Sequence, residues 1–173
     1  MKLYRMKVPE IAHQVIEKLV NAEMIDVSPE GRAEAELDLV AIMEEYLRRD
    51  HDLREAVREH MSSLNMPYDQ YGKVRGQFAT DWGHPVGNDV ERYLTRQFIE
   101  NFMISRWIEE VFADDKEIHR AVIDVLNANN VDERVLRDEA RERVKNLTEG
   151  TVEFELALSE AMRDVKKRHG LIR

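Results

Sequence analysis

Apolar side chains recur every three or four positions along almost the whole chain, which is the pattern of amphipathic helices. The clearest stripe belongs to a first predicted helix from Pro9 to about Ala22, because proline suits the first helical position. Its apolar positions are Ile11, Val15, Ile16, Leu19 and Val20. The pattern predicts an all-α fold, a helical bundle of about eight helices.

Residues that favour helix starts mark the beginning of the other predicted helices. These helices run from Ser28-Pro29 through Leu47, from Asp50 through Leu64, from Pro67 through Phe78, from Asp89 to Phe112, from Asp115 to Asn127, from Asp132 to Lys145 and from Thr151 to Gly170. The residues Met24 to Val27 alternate between apolar and polar, so they predict a short extended segment after the first helix.

The two halves of the chain resemble each other. The segment 13–20 matches 96–103 at an offset of 83 residues. The segment 42–59 matches 107–124 at an offset of 65, with five identities in 18 positions. An insertion of 18 residues around Asn21 to Asp38 would reconcile the two offsets. We interpret the matches as a duplication, with two similar halves packed about a pseudo-twofold axis, although unrelated amphipathic helices also share glutamate and alanine.

The segment Ala79 to Asn88 breaks the helical pattern with two glycines and a proline among its ten residues. It predicts a linker loop between a first helical half at 1–78 and a second at 89–173. The second half ends in a basic helix, whose cations suit the C-terminal end of a helix dipole.

Composition narrows the classes of function. The chain has no cysteine, so disulfides, thiolate metal sites and thiol nucleophiles are excluded. The net charge of −9 repels phosphate, so nucleic acid is not an expected partner, although the last eleven residues carry +4. No stretch approaches the roughly 18 apolar residues of a membrane span, and no signal-peptide run is present. We therefore expect a cytoplasmic protein.

Motifs of known chemistry are missing from the sequence. It contains no Gly-x-Ser-x-Gly elbow, phosphate loop, dinucleotide fingerprint or EF-hand loop. Glu10 and His13 have the spacing of a di-metal helix motif, but Tyr93 and Arg96 stand at the matching place in the second half. We therefore predict no catalytic residues, no metal site and no cofactor. The question of an enzyme stays open, with a non-enzymatic function favoured.

One loop combines an acid, an aromatic ring and a titratable imidazole, at Asp81, Trp82 and His84. Tyr71 and Arg75 lie just upstream and could line the same patch. Because loops on rigid scaffolds commonly carry function, these five residues are the candidate ligand or partner loop. The alternative is structural, with Trp82 filling the junction between the two halves.

A second candidate surface is an aromatic stripe that includes Phe98, Phe102 and Trp107. A stripe of this kind is more often core, and the alternative is an apolar groove or a dimer face. In that case Trp107 would anchor the interface, because tryptophan is enriched at interface hot spots.

Several segments resemble one bacterial family along the whole chain. They are Met1–Tyr4, Val8–Ala12, Glu36–Asp38, Ile42–Leu47, Ser105–Phe112, Leu147–Thr151 and Arg168–Ile172. On these segments the chain is similar to the domain-of-unknown-function family 507. That family has no established activity, so the resemblance agrees with a helical cytoplasmic protein and assigns no site residues.

The leading hypothesis is a protein-interaction or scaffolding module that binds a protein partner or self-associates. A regulatory nucleic-acid-binding protein is an alternative, because the first helix and the extended stretch after it resemble the start of a winged-helix unit. An enzyme that uses Asp81 and His84 as an acid–base pair is a further alternative.

Overall fold

Seven α-helices and two short strands make up the computed structural model, which describes all 173 residues. The helices are α1 (Val8–Asn21), α2 (Arg32–Ser63), α3 (Tyr71–Asp81), α4 (Asp89–Phe102), α5 (Asp115–Ala128), α6 (Glu133–Arg143) and α7 (Val152–Arg168). The strands are β1 (Ile25–Val27) and β2 (Ile108–Val111), which pair antiparallel. The fold is mainly helical as predicted, and it adds a small sheet that an all-α fold does not contain.

One long helix replaces two predicted ones. α2 runs without a break through Asp50, which the sequence predicted to cap a new helix. The Asp50 carboxylate pairs with the side chains of Arg54 and Arg75 instead of capping a helix. Because the two predicted helices are one, the chain has seven α-helices and not eight. The start of α2 also differs, because the Ser28 hydroxyl accepts from the Gly31 N–H and holds a turn before Arg32.

The predicted helix from Asp89 to Phe112 ends ten residues early, at Phe102. The residues that follow include β2, in which Ile108 pairs with Val27 and Val111 pairs with Ile25. Strand pairing joins segments that are distant in sequence, so a local helical pattern cannot reveal it. The extended segment predicted between α1 and α2 is confirmed as β1.

The order helix, strand, helix occurs twice, as α1–β1–α2 and as α4–β2–α5. The starts of α2 and α5, Arg32 and Asp115, are 83 positions apart. This is also the offset between segments 13–20 and 96–103, which lie on α1 and at the end of α4. The match at an offset of 65 sets 43–46 of α2 against β2 and is wrong there, because it equates part of a helix with a strand. The proposed 18-residue insertion is wrong with it.

Three groups of buried side chains form the interior. The main core contains 22 buried residues, namely Leu3 and residues from α1, β1, the first half of α2, α4, β2 and α5. The hairpin of α6 and α7 has its own cluster of eight buried residues, which includes Tyr4. The hairpin formed by the end of α2 with α3 has only three, namely Val57, Met61 and Val74. A central body therefore carries two helical hairpins.

Candidate functional site

A glycine turn at the end of α3 directs His84 into the protein. Gly83 has a φ of 59°, a left-handed conformation that suits glycine. The Gly83 N–H donates to the Thr80 carbonyl at 3.1 Å, and the His84 N–H donates to the Ala79 carbonyl at 2.8 Å. These two bonds close the helix end in a Schellman motif. The His84 side chain, which follows the turn, is only 1% exposed.

His84 meets a partly buried group of charged and aromatic side chains on α2 and α3. Its Nε2 atom lies 3.4 Å from Oδ1 of Asp50, and its ring stacks on Tyr46 with centroids 5.0 Å apart. The Arg75 guanidinium donates to the same Oδ1 atom at 2.9 Å, and Arg54 lies 3.2 Å from Oδ2. We call these five residues the Asp50 cluster.

The charges of the Asp50 cluster keep its carboxylate ionised. Burial by itself raises the pKa of Asp50, but contacts from His84 and Arg75 and the charge of Arg54 outweigh burial and lower the pKa to about 2. The Tyr46 hydroxyl donates to the Pro85 carbonyl at 3.3 Å. Burial, and then the nearby Asp50 charge, raise the pKa of this phenol. The cluster therefore ties the 79–88 segment to α2 and α3.

The structure brings together two of the five candidate loop residues, Arg75 and His84. Asp81 instead accepts a hydrogen bond from the Gln77 side chain at 2.8 Å, and no contact joins it to His84. In this structure Asp50, rather than the predicted Asp81, is the acid that faces the imidazole. The sequence offered a weak signal for Asp50, an aspartate with an arginine four residues later on one helical face.

The two aromatic residues of the candidate loop stay near the surface. Trp82 is half exposed, with its ring 6.5 Å from that of Phe78. Tyr71 stacks on the exposed Tyr68 at 5.6 Å between ring centroids. Neither ring pairs with the His84 imidazole, although Tyr71 lines a cavity together with Arg75 and Asp50.

The aromatic stripe divides between core and surface. Phe98 and Phe102 are fully buried in the main core, so they cannot contact a second molecule in this structure. Trp107 is partly exposed, and the Arg106 guanidinium lies 4.3 Å from the centre of its ring. Two further apolar residues that the sequence analysis did not select, Met103 and Ile104, are exposed in the same turn.

A second acidic residue, Glu133, holds the chain ahead of α1. It accepts a hydrogen bond from the Tyr4 hydroxyl, and it lies 2.8 Å from the Lys2 amine and 3.7 Å from that of Lys166. Burial by itself raises the pKa of Glu133, but the bonds from Lys2 and Tyr4 lower it overall. Burial and the bond to Glu133 raise the pKa of Tyr4. We call these four residues the Glu133 cluster.

Two neighbouring surface cavities share the side chains of Arg92 and Arg96 on α4. One cavity, of about 470 Å³, is also lined by His84 and Tyr93. The other, of about 720 Å³, lies between α4 and α5. The Asp50 cluster therefore borders the first of these cavities through His84.

No group of three or more His, Asp or Glu side chains is placed to hold a metal ion. None of the helices combines the length and the apolar character that a membrane span requires.

The fold and these clusters define a mainly helical protein in which a central body carries two helical hairpins, each held by a cluster of charged side chains. A family model described as a protein of unknown function (DUF507) matches residues 1–171, which is almost the whole chain. The chain therefore belongs to this family, and the resemblance found in the sequence is confirmed. A search of curated proteins found no match.

Proposed function

We propose that this protein is a protein-interaction module that binds through the turn between α4 and β2. The contact surface consists of Leu37, Met103, Ile104 and Trp107, and we call it the apolar turn surface. Ile104 is 83% exposed and Met103 is 68% exposed. This exposure carries the proposal, because grouped large apolar side chains at a surface mark contact sites.

The apolar turn surface is held in place by polar contacts. The Ser105 hydroxyl donates to the Asp38 carboxylate at 2.8 Å, which fixes the turn against α2 beside the exposed Leu37. The Arg106 guanidinium stacks over Trp107. Tryptophan, methionine and arginine are enriched in protein interfaces, so the composition of this turn fits the proposal.

A two-half architecture supports the proposal. We infer that the halves 1–78 and 89–173, joined by 79–88, are two copies of one unit related by a pseudo-twofold axis. An offset of 83 residues aligns buried positions in both copies. The pairs are Ile11/Leu94, Val15/Phe98, Leu39/Val122, Met43/Leu126, Leu53/Leu136 and Val57/Ala140. At this offset, residues 53–60 (LREAVREH) and 136–143 (LRDEARER) share four identities in eight positions.

The packing of the helices fits the same inference. α1 packs against α2 and α5, and α4 packs against α5 and α2, so each contact has a counterpart in the other copy. β1 and β2, the equivalent strands, pair antiparallel, as strands related by a twofold axis do. At the offset of 83, the Asp50 cluster and the Glu133 cluster have their acids at equivalent positions.

The two copies differ at the turn that we propose as a contact surface. Ile104 corresponds to Asn21, and Trp107 corresponds to Met24. In the first copy the turn continues with Ala22 and Glu23, which are exposed. Because the first copy forms its turn with Asn21 at the position of Ile104, folding of the unit does not require an isoleucine there. The exposed Ile104 is better explained by binding.

Sedimentation equilibrium over a wide concentration range tests the proposal. We expect a reversible dimer for the wild type, weakened at least about tenfold by Ile104→Glu, because a charge would be buried at the contact. Asn21→Glu places the same side chain on the equivalent turn and should leave the association unchanged.

A wild-type protein that stays monomeric would contradict self-association through this surface. In that case the wild type and the Ile104→Glu variant are compared as baits for partner proteins. Equal recovery of every partner by both baits would contradict the apolar turn surface as a binding site altogether.

A further inference from the structure

A cationic cleft lies between α4 and α5, on the surface of a chain whose net charge is −9. Arg92 and Arg96 line it from α4, one helical turn apart, and Lys116 and Arg120 line it from α5 with the same spacing. Its cavity of about 720 Å³ lies within the size range of small-molecule sites.

The four cations of the cleft are weakly paired within the protein. Arg96 lies 3.7 Å from Glu100, and Arg92 lies 4.0 Å from Asp89. Both distances exceed the 2.7–2.9 Å of a charge-assisted hydrogen bond. Three carboxylates, those of Glu100, Asp115 and Asp124, also line the cleft. Lys116 and Arg120 have none of them within 4.0 Å, and Asp124 pairs with Lys18 at 3.0 Å. The cations therefore keep donors free for another molecule.

If the two halves are copies of one unit, as proposed above, the fold does not require these cations. At an offset of 83, Arg92, Arg96, Lys116 and Arg120 correspond to Pro9, His13, Ala33 and Leu37. Equivalent helices in the first copy thus form without an arginine or a lysine at any of the four positions. Because the first copy folds without these charges, their grouping in the second copy fits a role in ligand binding.

We propose that the α4–α5 cleft binds a small molecule that carries one or two phosphoryl groups. Guanidinium groups present paired donors that match phosphate oxygens, and four cations on two helices can hold a multiply charged anion. Arg92 and Arg96 also line the adjoining cavity beside His84 and Tyr93, which gives the organic part of the ligand a place next to its phosphate. A long polyanion would meet the repulsion of the acidic body, so we assign the cleft to a small ligand.

Isothermal titration calorimetry with inorganic pyrophosphate, at low salt and neutral pH, tests the proposal. The wild type should bind with measurable heat, and the double variant Arg96→Gln with Arg120→Gln should bind at least about tenfold more weakly, because charged hydrogen bonds are lost. The double variant Arg163→Gln with Lys167→Gln removes the same charge from the exposed face of α7 and should bind within about twofold of the wild type.

A thermal melt with and without pyrophosphate provides a second readout on the same proteins. The ligand should raise the melting temperature of the wild type and the α7 variant but not that of the cleft variant. No binding by the wild type would overturn the proposal, and so would equal losses in both variants, which would indicate general attraction of anions. Neither measurement depends on the apolar turn surface, so this proposal and the proposed function can fail separately.

Discussion

The two helical hairpins of this protein hold one acidic residue each, Asp50 and Glu133, and each acid contacts a segment that precedes a central helix. Asp50 on α2 contacts His84, which precedes α4. Glu133 on α6 contacts Tyr4, which precedes α1. In both cases the segment ahead of a central helix is fastened to a hairpin, and the acid is the point of attachment.

The hairpins differ in how much apolar surface supports that attachment. The α6–α7 hairpin has a cluster of eight buried residues, and the Glu133 side chain above it is 37% exposed. The hairpin of α2 and α3 has a cluster of only three, and the Asp50 side chain is 15% exposed. Charges attract more strongly where water is excluded. We infer that apolar packing holds the C-terminal hairpin and that the Asp50 cluster holds the other one.

The largest expected loss of stability comes from removing an aromatic side chain from the apolar cluster of the α6–α7 hairpin. Phe154 is buried in the α6–α7 cluster, whereas Tyr71, at the start of α3 in the other hairpin, is partly exposed. Phe154→Ala should lower the free energy of unfolding by about 3–5 kcal/mol, and Tyr71→Ala by about 1 kcal/mol. Urea unfolding followed by circular dichroism measures both. Equal losses would show that the two hairpins depend on apolar packing to the same degree.

The next largest expected loss of stability is greater in the α2–α3 hairpin than in the α6–α7 hairpin. Asp50→Asn removes the charge that faces Arg75 and the buried His84, so it should cost roughly 3 kcal/mol. Glu133→Gln acts at a more exposed position, where Lys2 and Lys166 can turn to water, and it should cost about 1 kcal/mol. The same urea unfolding measures both, and a larger cost at Glu133 would contradict the role assigned to the Asp50 cluster.

These contacts mark the limit of what the sequence predicted. Local signals located most helices: Pro9 stands within the first turn of α1, Thr151 caps α7, and α5 begins at Asp115 as expected. The errors fall where distant segments meet. Asp50 looks like a helix cap until Arg75 and His84 occupy its carboxylate, because those partners lie 25 and 34 positions away.

The candidate sites also depend on contacts between segments that are distant in the sequence. Phe98 and Trp107 share one apolar pattern in the sequence, but the helix that carries Phe98 ends at Phe102. The strand pairing of β2 with β1 then places Trp107 near the surface while Phe98 stays in the core. The grouping of cations from α4 and α5 depends on the packing of two helices, which spacing along one helix does not show.

An acid titration measures how much the ionised Asp50 contributes to stability. The pKa of Asp50 is lowered from 3.8 to about 2, so its contribution to stability is complete above about pH 4 and is lost as the pH falls towards 2. The loss amounts to about 2 kcal/mol. Unfolding free energies measured from pH 5 to pH 2 should therefore fall by about 2 kcal/mol more for the wild type than for Asp50→Asn. Parallel curves would show that Asp50 has an ordinary pKa in the folded protein.

The smallest expected loss of stability comes from removing the Tyr4 hydroxyl from the Glu133 cluster. Tyr4→Phe keeps the ring in the α6–α7 cluster and removes only the bond to Glu133, which retains Lys2 and Lys166. It should cost about 1 kcal/mol, the usual value of one hydrogen bond. In a Glu133→Gln background the same change should cost less, because the two groups act on each other. Urea unfolding of the four proteins gives this coupling, and strictly additive losses would show that the Tyr4 hydroxyl does not hold the chain ahead of α1 through Glu133.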